Sequence, residues 1–296
     1  MSGPATLARD VFGLRFQNPV VLAAGTAGVG REVDRVTDVD AMGGIATKAV
    51  SVEPRAGNPA PRVAAARCGM LNSVGLANPG LEVFRRESLP WMAQHLRRVR
   101  VLVNVVGRTA EDFVAVVRAL ADEPVVSVFE LNVSCPNVRA GGVEFGADEN
   151  ALADLVRRAR DATDRPLVVK LSPVLPDPAR IATRAAEAGA DGFTAVNTLP
   201  ALLFEDGSGT PCLGNGAGGL SGPALLPVGV RVTRIVVGAT GKPVIGTGGV
   251  RSGRDALQYL SAGASLVGVG TAALADPRAP QRIVRELAAL LEGRER

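Results

Sequence analysis

Short apolar runs rich in Val and Ile alternate along the chain with segments of helical spacing. Most runs end in Gly, Thr or Ser before a helical pattern begins, which is typical of βα units on a parallel sheet. Eight runs are predicted as strands: 20–25, 44–50, 101–107, 126–134, 167–172, 192–198, 243–248 and 265–271. Helices are predicted between the later strands, over 178–189, 222–237 and 252–262.

Eight alternating units favour a closed (β/α)8 TIM barrel of the α/β class, formed as a single domain over residues 1–296. An open doubly wound sheet is the alternative, disfavoured because no Gly-x-Gly-x-x-Gly phrase follows the first strand. In a barrel the active site lies at the carboxyl ends of the strands. The connections 51–98 and 199–220 are too long for plain turns, and we expect both to form lids over that face.

Polar side chains collect where the predicted strands end. They are Lys48, Asn104, Asn132, Ser134, Cys135, Lys170, Asn197 and Thr198. Only ten asparagines occur in the chain, and Asn72 and Asn137 lie in loops just beyond strand ends. Asparagine is common in turns, but five on consecutive units indicate a site that binds a ligand through amide hydrogen bonds.

Glycine pairs end the last two predicted strands, in the phrases Gly-Thr-Gly-Gly at 246–249 and Gly-Val-Gly-Thr at 268–271. Backbone N–H groups in such loops, together with a helix N-terminus, form the phosphate site that barrels commonly place there. The glycine-rich segment 218–223 precedes a predicted helix and offers further backbone amides. Tight turns that need a positive φ are the structural alternative for each segment.

Composition narrows the function classes. The chain is 47% hydrophobic, 21% charged and 3% aromatic, which is globular, and its net charge of +4 comes from interleaved acids and bases, which argues against nucleic-acid binding. Lys48, Lys170 and Lys242 are the three lysines among 33 basic residues, so each can mark a place where a compact ammonium is needed. Because no apolar run approaches membrane-spanning length and the first 15 residues lack a signal-peptide core, we expect a cytoplasmic protein without a membrane anchor.

Histidine and cysteine usage restrict the chemistry further. The single histidine, His95, falls in a helical stretch away from every strand end, which argues against Ser–His, Cys–His and His-rich zinc sites. Cys68, Cys135 and Cys212 lack a cluster-ligand spacing, so an iron–sulfur centre would belong to another chain. A proton-transfer group must then be Cys135, a lysine, or Glu130, whose facing in its strand is ambiguous.

With these residues in place, the chain resembles the class 1 dihydroorotate dehydrogenases over nearly its whole length. The matching segments are 47–50, 58–62, 69–76, 132–137, 169–172, 197–198, 218–223 and both late glycine pairs. The resemblance implies a flavin-dependent barrel that oxidises (S)-dihydroorotate to orotate in pyrimidine biosynthesis, with FMN as the cofactor. It implies that Cys135 takes a proton from C5 of the substrate while hydride passes from C6 to flavin N5.

The resemblance also implies two sets of binding residues. The FMN set is Ala24, Gly25, Lys48, Ala49, Asn104, Asn132, Lys170 and Val196, with Gly222, Gly248, Gly249, Gly270 and Thr271 at the phosphate. The substrate set is Lys48, Asn72, Ser73, Val74, Gly75, Leu76, Asn132, Asn197 and Thr198. Lys170 would stand beside the flavin N1/O2 edge, where negative charge develops on reduction.

The segments 137–146 and 69–76 look most like the 1B type, which implies electron transfer to NAD+ through a partner subunit carrying FAD and a [2Fe–2S] cluster. A homodimer within a heterotetramer is the assembly expected from this likeness. The 1A type, a homodimer that passes electrons to fumarate, is the nearest alternative. Class 2 is disfavoured because its enzymes use serine where Cys135 stands.

Departures from the family keep other functions open. Ala24 and the pair Arg67-Cys68 replace residues common in the family, so a paralogue acting on another dihydropyrimidine remains an alternative. A Schiff-base aldolase would also place a lysine such as Lys170 at a strand end. A non-catalytic flavoprotein or scaffold subunit would keep the fold without the chemistry.

Overall fold

The structure is a computed structural model that describes residues 7–134, 139–140, 143–144 and 148–293. Its strands are β1 (Arg9–Val11), β2 (Leu14–Phe16), β3 (Val20–Leu22), β4 (Gly44–Ala46), β5 (Val63–Ala66), β6 (Gly69–Asn72), β7 (Arg100–Val105), β8 (Val126–Asn132), β9 (Arg139–Ala140), β10 (Val143–Glu144), β11 (Leu167–Leu171), β12 (Gly192–Ala195), β13 (Leu199–Ala201), β14 (Gly218–Ser221), β15 (Val244–Thr247) and β16 (Leu266–Val269). The α-helices are α1 (Leu81–Val83), α2 (Leu89–His95), α3 (Ala110–Leu120), α4 (Glu149–Arg160), α5 (Pro178–Glu187), α6 (Leu226–Thr240), α7 (Gly253–Ser261), α8 (Thr271–Ala275) and α9 (Ala279–Glu292). A π-helical turn, Phe84–Ser88, joins α1 to α2, and 3-10 turns lie at Val39–Ala41 and Pro223–Leu225.

Eight parallel strands close into a barrel in the order β3-β4-β7-β8-β11-β12-β15-β16, and β16 returns to pair with β3. These are the eight predicted strands, so the (β/α)8 prediction is confirmed. Several strands end earlier than predicted because the residues that follow them form hydrogen bonds with loops and not with the next strand. The backbone N–H of Lys48, for example, donates to the Gly28 carbonyl at 2.7 Å. The predicted helices of the second half are present as α5, α6 and α7.

Two apolar cores hold the barrel. The larger lies between the outer faces of the strands and the surrounding helices. The smaller fills the lower interior and includes Val21, Leu102, Val128, Val168, Ile245 and Leu266. The β1–β2 hairpin inserts Val11 and Phe16 into this inner core and so closes the amino-terminal end of the barrel.

The two long connections meet in a four-stranded antiparallel sheet of order β13-β14-β6-β5. Leu71 of β6 stands opposite Leu220 of β14, so the sheet joins segments from distant parts of the chain. Because β13 begins directly after the end of β12 and β14 runs into the turn before α6, this sheet stands at the carboxyl ends of the barrel strands. The prediction of lid segments on that face is confirmed for the stretches that form this sheet, whereas residues 81–95 of the first connection form helical turns that pack into the outer core.

One segment, Pro223–Thr240, is long and apolar enough by length and composition to cross a membrane, with a mean hydropathy of 1.2. Its helix, α6, packs on the barrel against β12 and β15 and between α5 and α7. A wall helix of a barrel passes the same test, so the segment is weak evidence for a membrane span.

His95 lies at the exposed end of α2, where its ring stacks on Trp91 at a centroid distance of 4.5 Å. Its surface placement agrees with the prediction. Cys68 is exposed and Cys212 is half-buried, and both are free thiols.

Candidate active site

On four of the barrel strands the interior changes from apolar to polar within one inward step. Alternate residues of a strand face the same side. The next inward-facing residue therefore lies two positions after each residue of the inner apolar core, called here the apolar floor. At that position Asn104 follows Leu102, Glu130 follows Val128, Lys170 follows Val168 and Thr247 follows Ile245. A buried polar layer therefore covers the apolar floor at the carboxyl end of the barrel.

The predicted asparagines are brought together in this layer. Asn132 Nδ2 lies 3.3 Å from Asn104 Oδ1, and Asn197 Nδ2 lies 2.8 Å from Ser134 Oγ. Ser134 Oγ in turn donates to Asn132 Oδ1 at 3.1 Å. Three strands thus contribute amides to one connected surface, as the sequence predicted.

Glu130, whose direction the sequence left open, points into the barrel. It is 2% exposed, and its two carboxylate oxygens accept from Asn104 Nδ2 and from Thr194 Oγ1, each at 2.6 Å. Thr194 lies on β12, beyond the intervening strand β11, so the side chain of Glu130 reaches across the interior. The signal that could have found it is its spacing of two residues from Asn132, which places both on one face of β8.

Lys170 lies on β11 between these groups, opposite Asn132 on one side and Thr194 on the other. The residue is 7% exposed, yet its ammonium forms no hydrogen bond or ion pair with any other residue in the described ranges. A buried cation without a protein partner is costly and is typical of a site that awaits an anionic or electron-rich ligand.

Lys48 occupies the neighbouring part of the mouth, and a Cβ on Gly25 would stand 3.9 Å from its ammonium. Burial, and then the positive charge of Arg62, lower the pKa of Lys48. Arg62 is held in place by bonds to the carbonyls of Asn58 at 2.6 Å and Ala56 at 3.0 Å. Two cations therefore face the same region, which favours a negatively charged ligand.

The segment 72–76 forms the opposite rim of the mouth. Asn72 Nδ2 donates to the Gly219 carbonyl at 3.2 Å, and Ser73 Oγ accepts from Asn58 Nδ2 at 2.8 Å. Leu76 adopts a positive φ of 56°, which is uncommon for a residue with a branched side chain. Backbone strain of this kind is found at ligand-binding segments that the surrounding structure holds in place.

A glycine cradle, defined here as Gly222, Gly248, Gly249, Gly270 and Thr271, stands at the ends of β14, β15 and β16. Thr271 Oγ1 donates to Ser221 Oγ at 2.7 Å, which ties the end of β16 to the lid sheet. A Cβ on Gly249 would lie 2.6 Å from the backbone nitrogen of Leu226, so this loop packs directly against the first turn of α6. Exposed backbone amides at a helix N-terminus form a natural phosphate site.

Tyr259 fixes the lower side of this cradle. Its hydroxyl donates to the Gly248 carbonyl at 2.7 Å. Burial, reinforced by the charge of Asp255, raises the pKa of the Tyr259 hydroxyl, so it stays a neutral donor. Sequence reasoning missed this residue because nothing in its helical pattern distinguishes it from a core tyrosine.

The remaining predicted positions fall around the same mouth. Ala24 packs at the edge of the inner core, Ala49 is buried after β4, and Val196 follows β12 with its N–H bonded to the Thr247 carbonyl at 2.9 Å. Thr198 contacts Gly219, where a Cβ would overlap the Thr198 hydroxyl. Cys135 and Asn137 lie outside the described residues, so the predicted base stays a prediction.

These residues fit FMN. The cradle brings glycine backbone without side chains close against the first turn of α6, and the ammonium of Lys170, unpaired among the described residues, suits the electron-rich edge of a flavin. The amide layer and the two cations, Lys48 and Arg62, offer the donors, acceptors and positive charge that a planar anionic ring would need.

Comparison with known proteins gives a consistent result. The family model described as dihydroorotate dehydrogenase matches residues 6–291. The protein of Cutibacterium acnes named dihydroorotate dehydrogenase B (NAD(+)), catalytic subunit, is 44% identical over 286 residues, covering 97% of this chain and 93% of that protein. Proteins of the same name from Anoxybacillus flavithermus and Geobacillus kaustophilus are 42% and 43% identical, each covering 97% of this chain and 91% of the relative. The fold and the site agree with this match, which covers almost the whole length of the chain. The chain therefore belongs to the dihydroorotate dehydrogenase family.

Proposed function

We propose that this chain is the FMN-binding catalytic subunit of an NAD-linked dihydroorotate dehydrogenase, formed as one barrel domain over residues 1–296. The single observation that carries the proposal is the buried ammonium of Lys170, unpaired among the described residues, in a layer of asparagine amides at the end of the barrel that also carries the glycine cradle. FMN, when bound, accepts a hydride from the substrate. The reaction is the oxidation of (S)-dihydroorotate to orotate in pyrimidine biosynthesis.

The chain's own residues bind and orient the two reactants. The glycine cradle would hold the FMN phosphate, and Lys170 would stabilise the negative charge that develops on the flavin ring. Asn72, Asn132, Asn197 and Thr198 would pair with the ring amides of the substrate, and Lys48 would attract its carboxylate. The rim 73–76 would contribute backbone N–H groups.

Cys135 is proposed as the base that removes the proton from C5. Of the other titratable groups, Glu130 is held by Asn104 and Thr194 inside the barrel, and His95 lies on the outer surface. A cysteine has an ordinary pKa near 8.5, so the rate of proton removal should rise with pH as more thiolate forms.

The cysteine variant tests this role. Cys135→Ala should bind FMN and orotate normally, but the visible absorbance of its flavin should no longer fall at a useful rate when dihydroorotate is added without oxygen. Cys135→Ser should restore a slow reaction at high pH. Rapid bleaching of the Ala variant would remove Cys135 from the mechanism.

Electron transfer onward is proposed to need a partner. The relatives are named as catalytic subunits of NAD(+)-linked enzymes, and the cysteines of this chain lack a cluster-ligand spacing. We propose a cytoplasmic homodimer that joins a partner subunit carrying FAD and a [2Fe–2S] cluster in a heterotetramer.

One anaerobic titration tests both half-reactions. Dihydroorotate should bleach the purified yellow protein, and NAD+ should restore its colour only when the partner subunit is present. Reoxidation by fumarate alone would instead support the 1A type. A colourless protein with no affinity for FMN would contradict the proposed function and favour an aldolase-like barrel.

A further inference from the structure

Four hydrogen bonds form a chain through the polar layer, and each donor points toward Glu130. Asn197 donates to Ser134, and Ser134 donates to Asn132. Asn132 Nδ2 donates to Asn104 Oδ1, and Asn104 Nδ2 donates to Glu130 Oε1. The chain therefore starts at the rim of the mouth and ends at a buried carboxylate.

A chain of amides needs a group that decides its direction. The two ends of an asparagine amide have nearly the same shape, so each amide could turn over and exchange donor for acceptor. A carboxylate accepts hydrogen bonds and donates none, so Asn104 must present its Nδ2 to Glu130 and its oxygen to Asn132. The same constraint passes from Asn104 to Asn132. At the other end of the hydrogen-bond chain, Asn197 Oδ1 accepts from the backbone N–H of Thr198 at 2.8 Å, so the backbone fixes Asn197 independently.

Glu130 is itself held firmly enough to set this direction. Its second oxygen accepts from Thr194 Oγ1 at 2.6 Å, so both oxygens are occupied. The residue is almost fully buried, so water cannot supply a competing partner. Below it lies the apolar floor around Val128, which offers no other polar group.

Building on the proposed function, we propose that Glu130 is a positioning residue for the substrate. As the acceptor at the buried end of the hydrogen-bond chain, it acts through Asn104 to fix which end of the Asn132 amide faces the substrate ring, without touching the substrate. An amide turned the wrong way would set donor against donor or acceptor against acceptor, so binding of the substrate ring should weaken.

Two substitutions at this position separate the acceptor from the rest of the side chain. Glu130→Met keeps the approximate length but removes the acceptor, whereas Glu130→Gln keeps one acceptor oxygen for Asn104. Orotate binding is measured from the change it causes in the flavin spectrum of the FMN-loaded chain. We expect Glu130→Met to raise the dissociation constant for orotate about tenfold or more, and Glu130→Gln to recover most of the affinity.

Steady-state kinetics with dihydroorotate and an artificial electron acceptor give a second readout. We expect Glu130→Met to raise KM more than it lowers kcat, because the amides act mainly by holding the ring. Val128→Ala is the matched control. Val128 is the preceding inward-facing residue of the same strand, and its side chain takes no part in the hydrogen-bond chain. This variant should lower the midpoint of unfolding but leave orotate affinity within about twofold.

Three outcomes would overturn the proposal: wild-type orotate affinity in Glu130→Met, equal losses in the Met and Gln variants, or an equal loss in Val128→Ala. If Glu130→Met does not fold, the Thr194 variants replace it in the test. Thr194→Val must then weaken orotate binding about threefold, and Thr194→Ser must restore it. No effect of Thr194→Val would overturn the proposal. The wild-type protein alone tests the proposed function, because that function fails if dihydroorotate does not reduce its flavin. The ratio of variant to wild-type orotate affinity tests the role of Glu130.

Discussion

Lys170 is a residue whose placement suits ligand binding but lowers the stability of the fold. Its ammonium is buried in the polar layer, and the described residues give it no hydrogen bond or ion pair. Removing a charge from water without a partner destabilises the folded state, whereas an apolar side chain of similar size does not. The lysine is therefore better explained by what it binds than by what it stabilises.

Lys170→Met should thus separate stability from binding. We expect the free energy of unfolding of the FMN-free protein to rise by about 1 kcal/mol, because an unpaired buried charge is removed. The dissociation constant for FMN should rise at least about tenfold, since a charge-assisted contact is lost. Urea unfolding and fluorescence titration with FMN measure the two quantities. Lys242→Met, in a turn away from the mouth, is the control and should change neither; a destabilised Lys170→Met apoprotein would contradict the argument.

Lys48 and Arg62 make the site sensitive to alkaline pH. Burial and the Arg62 charge lower the pKa of Lys48, so between that lowered value and its ordinary value the unfolded chain binds more protons than the folded chain. The contribution of Lys48 to stability is accordingly smallest below this window and rises with pH across it. Binding of an anion has the opposite dependence, because it needs the protonated lysine.

Orotate affinity should therefore fall as pH rises through the lowered pKa of Lys48. In Arg62→Gln the fall should move to higher pH, though not to the ordinary lysine value, because the larger cause, burial, remains. Orotate titrations from neutral to strongly alkaline pH measure this midpoint. An unchanged midpoint in Arg62→Gln would show that Arg62 does not influence Lys48.

Among the elements, the loop between β15 and α7 depends on the absence of a side chain at Gly249. Gly249 has a φ of +75°, and a Cβ there would lie 2.6 Å from the Leu226 nitrogen. Gly216 offers a matched comparison, because its φ is +80° and a Cβ would meet nothing within 4 Å. Both positions carry the same backbone penalty, but only the first adds a steric clash.

Gly249→Ala should consequently do more damage than Gly216→Ala. We expect the control to lose about 1 kcal/mol of stability from left-handed backbone alone. Gly249→Ala should lose more and should weaken FMN binding by at least about tenfold, because the loop must move away from α6. Equal FMN affinity in the two variants would exclude this loop from the phosphate site.

The sequence predicts the barrel strands well but not the lid sheet. Runs such as 101–107 and 167–172 combine β-branched residues with a polar end, and both the strand and its direction follow from that pattern. The lid strands lack such a pattern, since β14 reads Gly-Gly-Leu-Ser and β5 reads Val-Ala-Ala-Ala. Their pairing is long-range, and only the folded chain brings them together.

The sequence likewise predicts some residues of the candidate site but not others. Lys48, Asn104 and Asn132 are predicted because polar groups interrupt apolar runs at strand ends. Glu130 could not be assigned from burial pattern alone, because every residue of β8 from Val128 onward is buried, on both faces of the strand. Its role follows from hydrogen bonds to two other strands, which no local pattern contains.

At the scale of the whole molecule, the β1–β2 hairpin contributes to stability at the end of the barrel opposite the candidate site. Phe16 is fully buried in the inner core at the end of the barrel remote from the mouth. Phe16→Ala should lower the free energy of unfolding by about 3 to 5 kcal/mol while leaving the FMN content of the folded protein unchanged. Urea unfolding checks the first and absorbance the second. Phe204→Ala is the control, since Phe204 is 55% exposed and its removal should cost about 0.5 kcal/mol or less.

The closing of the barrel also orders events during synthesis. Val267 of β16 pairs with Val20 of β3, so the first wall strand keeps an open edge until the last one leaves the ribosome. The cradle draws on β14, β15 and β16, which emerge late as well. A nascent chain therefore has no complete pocket to offer its prosthetic group. FMN can therefore stabilise only finished molecules, and until then the growing half-barrel keeps an unpaired strand edge.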